Sequence, residues 1–360
     1  MRITRLRTAL VDIPLPRPVR SVQSSIESVG CVLVYLDTDV GLTGEGFAFS
    51  INGKRLGLLH EMVRSLEPLV VGEDPWMTER FFARAWADCV FIGRRGVSLF
   101  GISAVDMAIW DLKGKDAGKP LHQLLGGVRD EVPVYASGGL WMSSSIEELV
   151  DQAEAFVAQG FTAVKMRIGS ASAAEDVRRV RAVREAVGPG IRLMADATQS
   201  MTVPRAVALG RLLEPFALDW FEEPVPAEDP NGLAAVAGAL DVPVATGENA
   251  FTRTEFHHLL EKRAASVLMP DLQRVGGFTE MARVAHTAHS YGVTVSPHLF
   301  TEYSVSVVAA FPNATWLEHT TWFAPLFDDT LEMTGGLARV PVRPGNGFPF
   351  SSTAVDRYRI

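Results

Sequence analysis

Three things are scarce in this chain of 360 residues. Only two cysteines, Cys31 and Cys89, are present, which excludes a disulfide framework and a cysteine-rich metal site and points to a reducing, cytoplasmic location. Basic charge is in deficit: 34 Lys and Arg against 42 Asp and Glu leave a formal net charge of −8. No basic run offers the cationic face that a nucleic-acid backbone needs for counterion release, so nucleic acid is not expected as a partner. Long apolar runs are absent too. No stretch approaches the roughly 18 residues of a membrane span, and the opening MRITRLRTALVDIPL has basic residues without the unbroken apolar segment of an export signal. What remains is ordinary: 47% hydrophobic and 21% charged residues, a globular composition with length enough for a sizeable core or two domains.

The rhythm of the chain changes along its length. Residues 1 to about 50 hold short β-like runs, among them CVLVYLD (31–37) and LTGEGFA (42–48), joined across the turn-prone TDVG; this reads as an antiparallel hairpin. Residues 53–127 read as helical, most clearly at Ile102, Val105, Ile109 and Leu112, whose spacing lays one apolar stripe along a helix. From about 132, short apolar runs alternate with longer amphipathic stretches: VPVYAS, TAVKMR, IRLMAD, DWFEEP, VPVATGE, SVLMPD, VTVSPH and TWLEH. Eight strands at intervals of about 25 residues match repeated strand–helix units closed into a parallel barrel. The expected architecture is a (β/α)7β barrel over 128–325 with an α+β capping domain over 1–127. The segment 326–360, broken by GG, PGNG and FPF, is expected to return to the cap.

Charged residues mark the strand ends. Lys165 and Arg167, Asp196, Glu222, Glu248, Asp271, His298 and Glu318 all fall at or just past the C-terminal end of a candidate strand. Strands of a parallel barrel are otherwise near-continuous apolar runs, and barrel active sites lie at that face. Asp196, Glu222 and Glu248 come from consecutive strands; three oxygen ligands without Cys or His suit a hard cation, magnesium or manganese. Glu223, next to Glu222, points the other way and is expected in a structural ion pair. Asp271 and His298 end adjacent strands, where a carboxylate holds an imidazole in one tautomer, so His298 is a general acid/base candidate. His257, His258, His286 and His289 lie in expected helices and read as surface or packing residues. Lys165 and Arg167, two apart on one strand, face the barrel mouth together. Glu318 either donates a hydrogen bond to a developing enolate oxygen or partners one of these two cations.

These motifs carry a resemblance. The helical AVDMAIWDLKGKDAGKPLHQLLGG (104–127), then VKMR, MADATQS, WFEEP, TGEN, MPD, SPH and WLEH, resemble the enolase superfamily, mandelate racemase subgroup, in order and spacing over essentially the whole chain. The resemblance implies metal ligation by Asp196, Glu222 and Glu248, a His298–Asp271 dyad on one face, basic residues of the second strand on the other, and Glu318 as electrophilic partner. It also implies cap loops around Ser21 to Ile26 and Phe47 to Arg55 that close over the substrate. The chemistry it implies is removal of the proton α to a carboxylate through an ene-diolate. The superfamily is a standing example of a Lys or His base working with magnesium.

Two departures bear on the reaction. Where the family places Lys-x-Lys on the second strand, this chain has Lys165-Met166-Arg167, and arginine is a poor base. That weakens two-base racemisation and favours dehydration of an acid sugar, an aldonate or aldarate, to a 2-keto-3-deoxy acid. Racemisation, epimerisation or cycloisomerisation on the same scaffold is the alternative, and a catalytically silent carboxylate-binding relative is the third possibility. Thr198 stands where many relatives have Asn. With Asn249 beside Glu248, and with Asn52 and Arg55 in the cap, it is a candidate for contact with a small polyhydroxylated carboxylate. The family resemblance also makes a homo-oligomer the expected assembly.

Overall fold

The computed structural model describes residues 1–20 and 25–360; Ser21 to Ser24, part of one expected covering loop, lie outside the described residues. The chain opens with an antiparallel sheet of β1 (Ile3–Arg20), β2 (Ser25–Thr38) and β3 (Thr43–Ile51), in that spatial order. The expected hairpin forms between β2 and β3: the Thr38 N–H donates to the Leu42 carbonyl at 3.0 Å and the Thr38 hydroxyl to the same oxygen at 2.8 Å. The register of β1 against β2 slips between Pro14 and Val19, where Pro14, Pro16 and Pro18 have no N–H to contribute.

Helices Leu56–Ser65, Glu67–Val70, Thr78–Asp88, Val97–Ala117 and Leu121–Leu124 follow. In Val97–Ala117 the stripe Ile102, Val105, Ile109 and Leu112 joins the core of the N-terminal sheet with Val32, Val34 and Leu36. The stripe is only half of the helix's contact surface. Its other face is also buried, with Met107 in the barrel core and Ser103, Asp106 and Asp111 enclosed. The helix lies between sheet and barrel, and glycine makes this possible. A Cβ on Gly44 would stand 2.2 Å from the Ala108 carbonyl oxygen and one on Gly46 2.3 Å from that of Ala104. Bare backbone at both positions lets helix and strand meet.

All eight expected strands form the barrel: β4 (Glu131–Ala136), β5 (Ala163–Arg167), β6 (Arg192–Asp196), β7 (Trp220–Glu222), β8 (Val244–Thr246), β9 (Val267–Leu268), β10 (Thr294–Val295) and β11 (Leu317–His319). β4 to β10 pair in parallel in chain order, and β11 returns to pair with β4. Between β10 and β11 the ring is closed by hydrogen bonds of 2.9 Å from Val295 N–H to the Asn313 carbonyl and from Thr315 N–H to the Val295 carbonyl. Its interior is filled by Tyr135, Ala163, Met194, Trp220, Ala245, Val267 and Met269. This is a (β/α)7β barrel with an α+β cap.

The tail first makes a hairpin of β12 (Met333–Thr334) and β13 (Leu337–Arg339), and β13 adds antiparallel to the start of β4, Ala338 opposite Val132. It then crosses to the N-terminal sheet. The Asn346 N–H reaches Asp111 Oδ1 at 2.7 Å and its side-chain amide reaches the Glu45 carbonyl at 2.9 Å; Ile360 N–H ends on the Leu10 carbonyl at 3.1 Å. Aromatic rings from all three regions meet around Phe47, whose centroid lies 4.9 Å from that of Phe300 and 6.2 Å from that of Phe350. Among the described residues no helix is long and apolar enough to cross a membrane.

Candidate active site

Strand register brings the first charged residues into a row: Arg167 lies opposite Asp196, and Asp196 opposite Glu222. Glu248, Asp271 and His298 follow just past β8, β9 and β10, and Glu318 is central in β11. The loops that carry them are strained. Thr198, Gln199, Glu223, Leu299 and Phe300 all have φ between 44° and 59°, a region that side-chain-bearing residues enter only when the surroundings force them. At Leu299 the result is visible: the turn directly after His298 aims the Leu299 N–H at Glu318 Oε2, 2.7 Å away.

Glu318 is wholly buried and accepts two more donors, the Ser137 hydroxyl at 2.6 Å and Lys165 Nζ at 2.9 Å. Burial works against its charge, but Lys165, His298 and Arg167 outweigh it and hold the carboxyl well below the usual carboxylate range. An ionised Glu318 has no proton to give. Of the two expectations for this residue, the hydrogen-bond donor to an enolate does not fit, and the partner of Lys165 does. Lys165 itself also meets Glu222 Oε1 at 2.7 Å. Burial opposes its charge, yet Glu222 and Glu318 keep it an ammonium, its pKa well above that of a free lysine.

Arg167 does not reach into open space. Its Nη1 donates to the Ser137 carbonyl at 2.8 Å, its Nη2 to the Ser137 hydroxyl at 3.1 Å, and its Nε stands 3.4 Å from Asp196 Oδ2. The face of the guanidinium lies 4.2 Å from the Trp141 ring centroid. It clamps Ser137, which in turn holds Glu318, in keeping with an arginine that is a poor base.

On the other side, His298 Nδ1 is 2.8 Å from Asp271 Oδ2. Asp271 Oδ1 accepts the N–H groups of Gln273 and Arg274 at 2.9 and 3.0 Å. With Asp271 so fixed, Nδ1 carries the proton and Nε2 faces the site, 3.3 Å from Glu248 Oε2. Burial pulls the imidazole's pKa down, while Glu248, Asp271 and Glu318 together push it up to about 9.

The remaining candidates divide. The Thr198 N–H donates to Asp196 Oδ1 at 2.8 Å and the Asn249 amide to Glu248 Oε1 at 3.1 Å, so both brace the expected ligands. Asn52 is occupied elsewhere: its Oδ1 accepts the Glu27 N–H at 2.7 Å and its amide donates to the Ser25 carbonyl at 2.9 Å. It staples β2 to the loop after β3. Arg55 is exposed, like Lys54, along a cleft in the seam between cap and barrel that the buried Phe49 and Gln273 also line. Glu223 is a correction. Among the described residues it has no ion pair; it accepts from the Thr246 hydroxyl and the Gly247 N–H, and burial with the nearby Glu248 pushes it up to about 8. Two contributors carry no charge and escaped the strand-end reading: Ser137, and Trp220, whose Nε1 donates to Glu222 Oε2 at 2.8 Å. Trp220 was within reach, two residues before Glu222 and so on the same strand face.

Asp196, Glu222 and Glu248 fit a hard divalent cation in chemistry and charge. Burial pushes Glu222 up to about 7, and Asp196, Glu318 and Glu248 add to that push. Burial raises Asp196 as well, and Glu248 adds to it. Such mutual repulsion among buried carboxylates is what a cation relieves. As the side chains stand, no group of three His, Cys, Asp or Glu among the described residues is arranged to hold a metal. Glu222 is turned to Lys165 and Glu248 to His298.

Residues 4–126 match the description "Mandelate racemase / muconate lactonizing enzyme, N-terminal domain", and residues 148–354 match "Enolase C-terminal domain-like". The chain is 33% identical to an L-talarate/galactarate dehydratase of Salmonella typhimurium strain LT2, over 98% of this chain and 90% of that protein. It is 34% identical to a 3,6-anhydro-alpha-L-galactonate cycloisomerase of Streptomyces coelicolor, over 96% of each. Its fold superposes on an L-talarate dehydratase from Polaromonas sp. JS666, solved with Mg and L-glucarate, with a TM-score of 0.95 at 35% identity, covering 100% of this chain and 97% of that one.

Proposed function

The chain belongs to the mandelate racemase/muconate lactonizing enzyme family of the enolase superfamily, and we propose that it dehydrates an acid sugar to a 2-keto-3-deoxy acid after removing the proton α to the carboxylate. The observation that carries this reading is the asymmetry of the site. One side presents His298 Nε2 with Asp271 2.8 Å behind the ring; the other presents Lys165 held between two carboxylates and an arginine committed to Ser137. Racemisation needs a free base on each side. Dehydration needs one group that takes a proton and returns it.

Magnesium or manganese held by Asp196, Glu222 and Glu248 would supply positive charge opposite the carboxylate oxygens as α-proton loss makes them more negative. The chain's own residues do the rest. His298 is an imidazolium here because Glu248, Asp271 and Glu318 together raise it; with Glu248 serving as a ligand, the largest of these contributions is withdrawn, and Nε2 becomes the acceptor for the α-proton. The C–H electron pair becomes the ene-diolate double bond. Its collapse expels the β-hydroxyl, which leaves as water with the proton His298 returns, and the resulting enol becomes the 2-keto group. Lys165, which keeps Glu318 as a partner at 2.9 Å when Glu222 serves as a ligand, adds fixed positive charge on the opposite side. Cycloisomerisation at the same residues is the second reading, favoured by the Streptomyces relative.

Incubation of the magnesium-loaded enzyme with galactarate, L-talarate and arabinonate in deuterated water tests the proposal. A 2-keto-3-deoxy product supports it; α-deuterium exchange without loss of water supports an isomerase; neither, with magnesium bound, leaves a silent carboxylate binder. The two buried free thiols of Cys31 and Cys89 support a cytoplasmic setting. Exposed apolar residues at Val90, Phe91 and Ile92 support self-association.

A further inference from the structure

The cap and the His298–Asp271 pair meet at one residue. Gln273 is 2% exposed and is the second residue of the short helix Leu272–Val275, for which Asp271 is the N-cap. Its backbone N–H donates to Asp271 Oδ1 at 2.9 Å. Its side-chain amide faces the opposite way, into the cap: Oε1 accepts the Phe49 N–H at 2.6 Å, and Nε2 donates to the Phe49 carbonyl at 3.2 Å. The Gln273 carbonyl accepts the Ser103 hydroxyl of helix Val97–Ala117 at 2.6 Å.

The fold explains why these partners are free. β3 is the outer strand of the N-terminal sheet, so Phe49 turns an unpaired N–H and C=O outward, and the carboxamide pairs with both as a further strand would. The Phe49 ring adds a second attachment. Its centroid lies 5.5 Å from that of Phe300, two residues beyond His298 in the strained turn. One residue of the cap thus grips both members of the pair, Asp271 through Gln273 and His298 through Phe300. Phe49 itself lies within the segment Phe47 to Arg55 expected to cover the substrate, and β3 gives way to a turn at Asn52. If Phe49 shifts, two buried hydrogen bonds are lost together, so the seated position of β3 and the placement of Asp271 are favoured as a unit.

We infer that Gln273 is a positioning residue for proton transfer, coupling the seating of the cap strand to the orientation of His298 through Asp271. The inference rests on the reading above that His298 moves the proton. Gln273→Met keeps the length and bulk of the side chain and removes the amide. Expected is a folded enzyme with kcat lowered about 10- to 100-fold on whichever of galactarate, L-talarate or arabinonate the unmodified enzyme uses, KM changed by less than about threefold, and magnesium affinity unchanged. In the proton NMR spectrum of the free enzyme, the downfield resonance of the His298 Nδ1 proton shifts or broadens. Trp110→Phe is the control. It removes another cap–barrel hydrogen bond, Trp110 Nε1 to the Thr279 hydroxyl at 2.9 Å, and is expected to lower Tm while leaving kcat and the resonance as they were.

If both variants lose Tm alone, Gln273 is only an adhesive between cap and barrel, and the inference fails. It also fails if, in Gln273→Met, kcat and magnesium affinity fall while KM rises. Should that variant not fold, Gln273→Glu keeps the acceptor for the Phe49 N–H, loses the donor, and is read in the same way. A displaced resonance in an enzyme inert towards all three acids overturns the proposed reaction while upholding the link from Gln273 to His298.

Discussion

Glu222 concentrates the argument at the scale of single residues. It is fully buried, braced by Lys165 at 2.7 Å and Trp220 at 2.8 Å, and pushed up to about 7 by burial and by neighbouring carboxylates. Glu222→Gln keeps its shape and removes one negative donor. Magnesium affinity by titration calorimetry is expected to fall at least about tenfold, with loss of turnover; unchanged affinity would remove Glu222 from the ligand set. Charge at strand ends made such residues legible in the sequence, because an ionised group in an apolar strand demands a reason. Ser137 and Gln273 gave no such signal. They are uncharged, and their partners, Glu318 and Phe49, are chosen only where the chain folds back. Asn52 misled for the converse reason, since a polar loop residue reads alike whether it faces ligand or backbone. His319 offers a test by pH. Burial lowers its pKa to about 4, below the ordinary 6.5, so between these values the unfolded chain binds more protons and stability falls on acidification. The loss is at most about 3 kcal/mol, and less in so far as the ring keeps some solvent contact. Urea unfolding at about pH 7.5 and about pH 5 should show a smaller drop for His319→Gln than for the unmodified chain.

Among elements, helix Val97–Ala117 determines how cap and barrel sit together. It fits because Gly44 and Gly46 present bare backbone to it. In Gly46→Ala the new methyl would stand 2.3 Å from the Ala104 carbonyl and 2.8 Å from the Ala108 nitrogen, both backbone atoms that cannot swing aside. Destabilisation of about 1–3 kcal/mol or more is expected, seen as a lower Tm in calorimetry; a stable Gly46→Ala would mean that helix and strand are less closely apposed. This helix was only half legible. Amphipathic spacing presumes one face in water, and here the second face meets the barrel through Asp106, whose Oδ2 accepts the Thr279 N–H at 3.0 Å. The barrel strands were legible throughout, since each is an apolar run and all but the first end in a charge. The hairpin of β12 and β13 was not, because two- and three-residue strands carry too little pattern, and Gly335-Gly336 reads as a break whether or not the chain pairs on either side of it.

At the scale of the whole molecule, three regions close on one another, yet one apolar surface stays outside. Val90, Phe91 and Ile92 are 64%, 98% and 67% exposed, in a loop running to Gly93. Beside them is a cleft of about 530 Å³ lined by Trp86, Phe251, Leu259, Arg94, Arg95 and Glu255. If two copies meet about a two-fold axis at this face, the protruding apolar loop of one would lie against the partly apolar cleft of the other, and the reverse. A water-exposed phenylalanine of this extent in a charged, well-packed chain is otherwise costly to solubility. The combined substitution Phe91→Asp and Ile92→Asp should therefore reduce the mass seen by light scattering at micromolar concentration. Tm at matched dilution should be preserved, because neither side chain packs within the single chain. A variant of unchanged mass would move the interface to another face, and a monomeric unmodified chain at the same concentration would remove it.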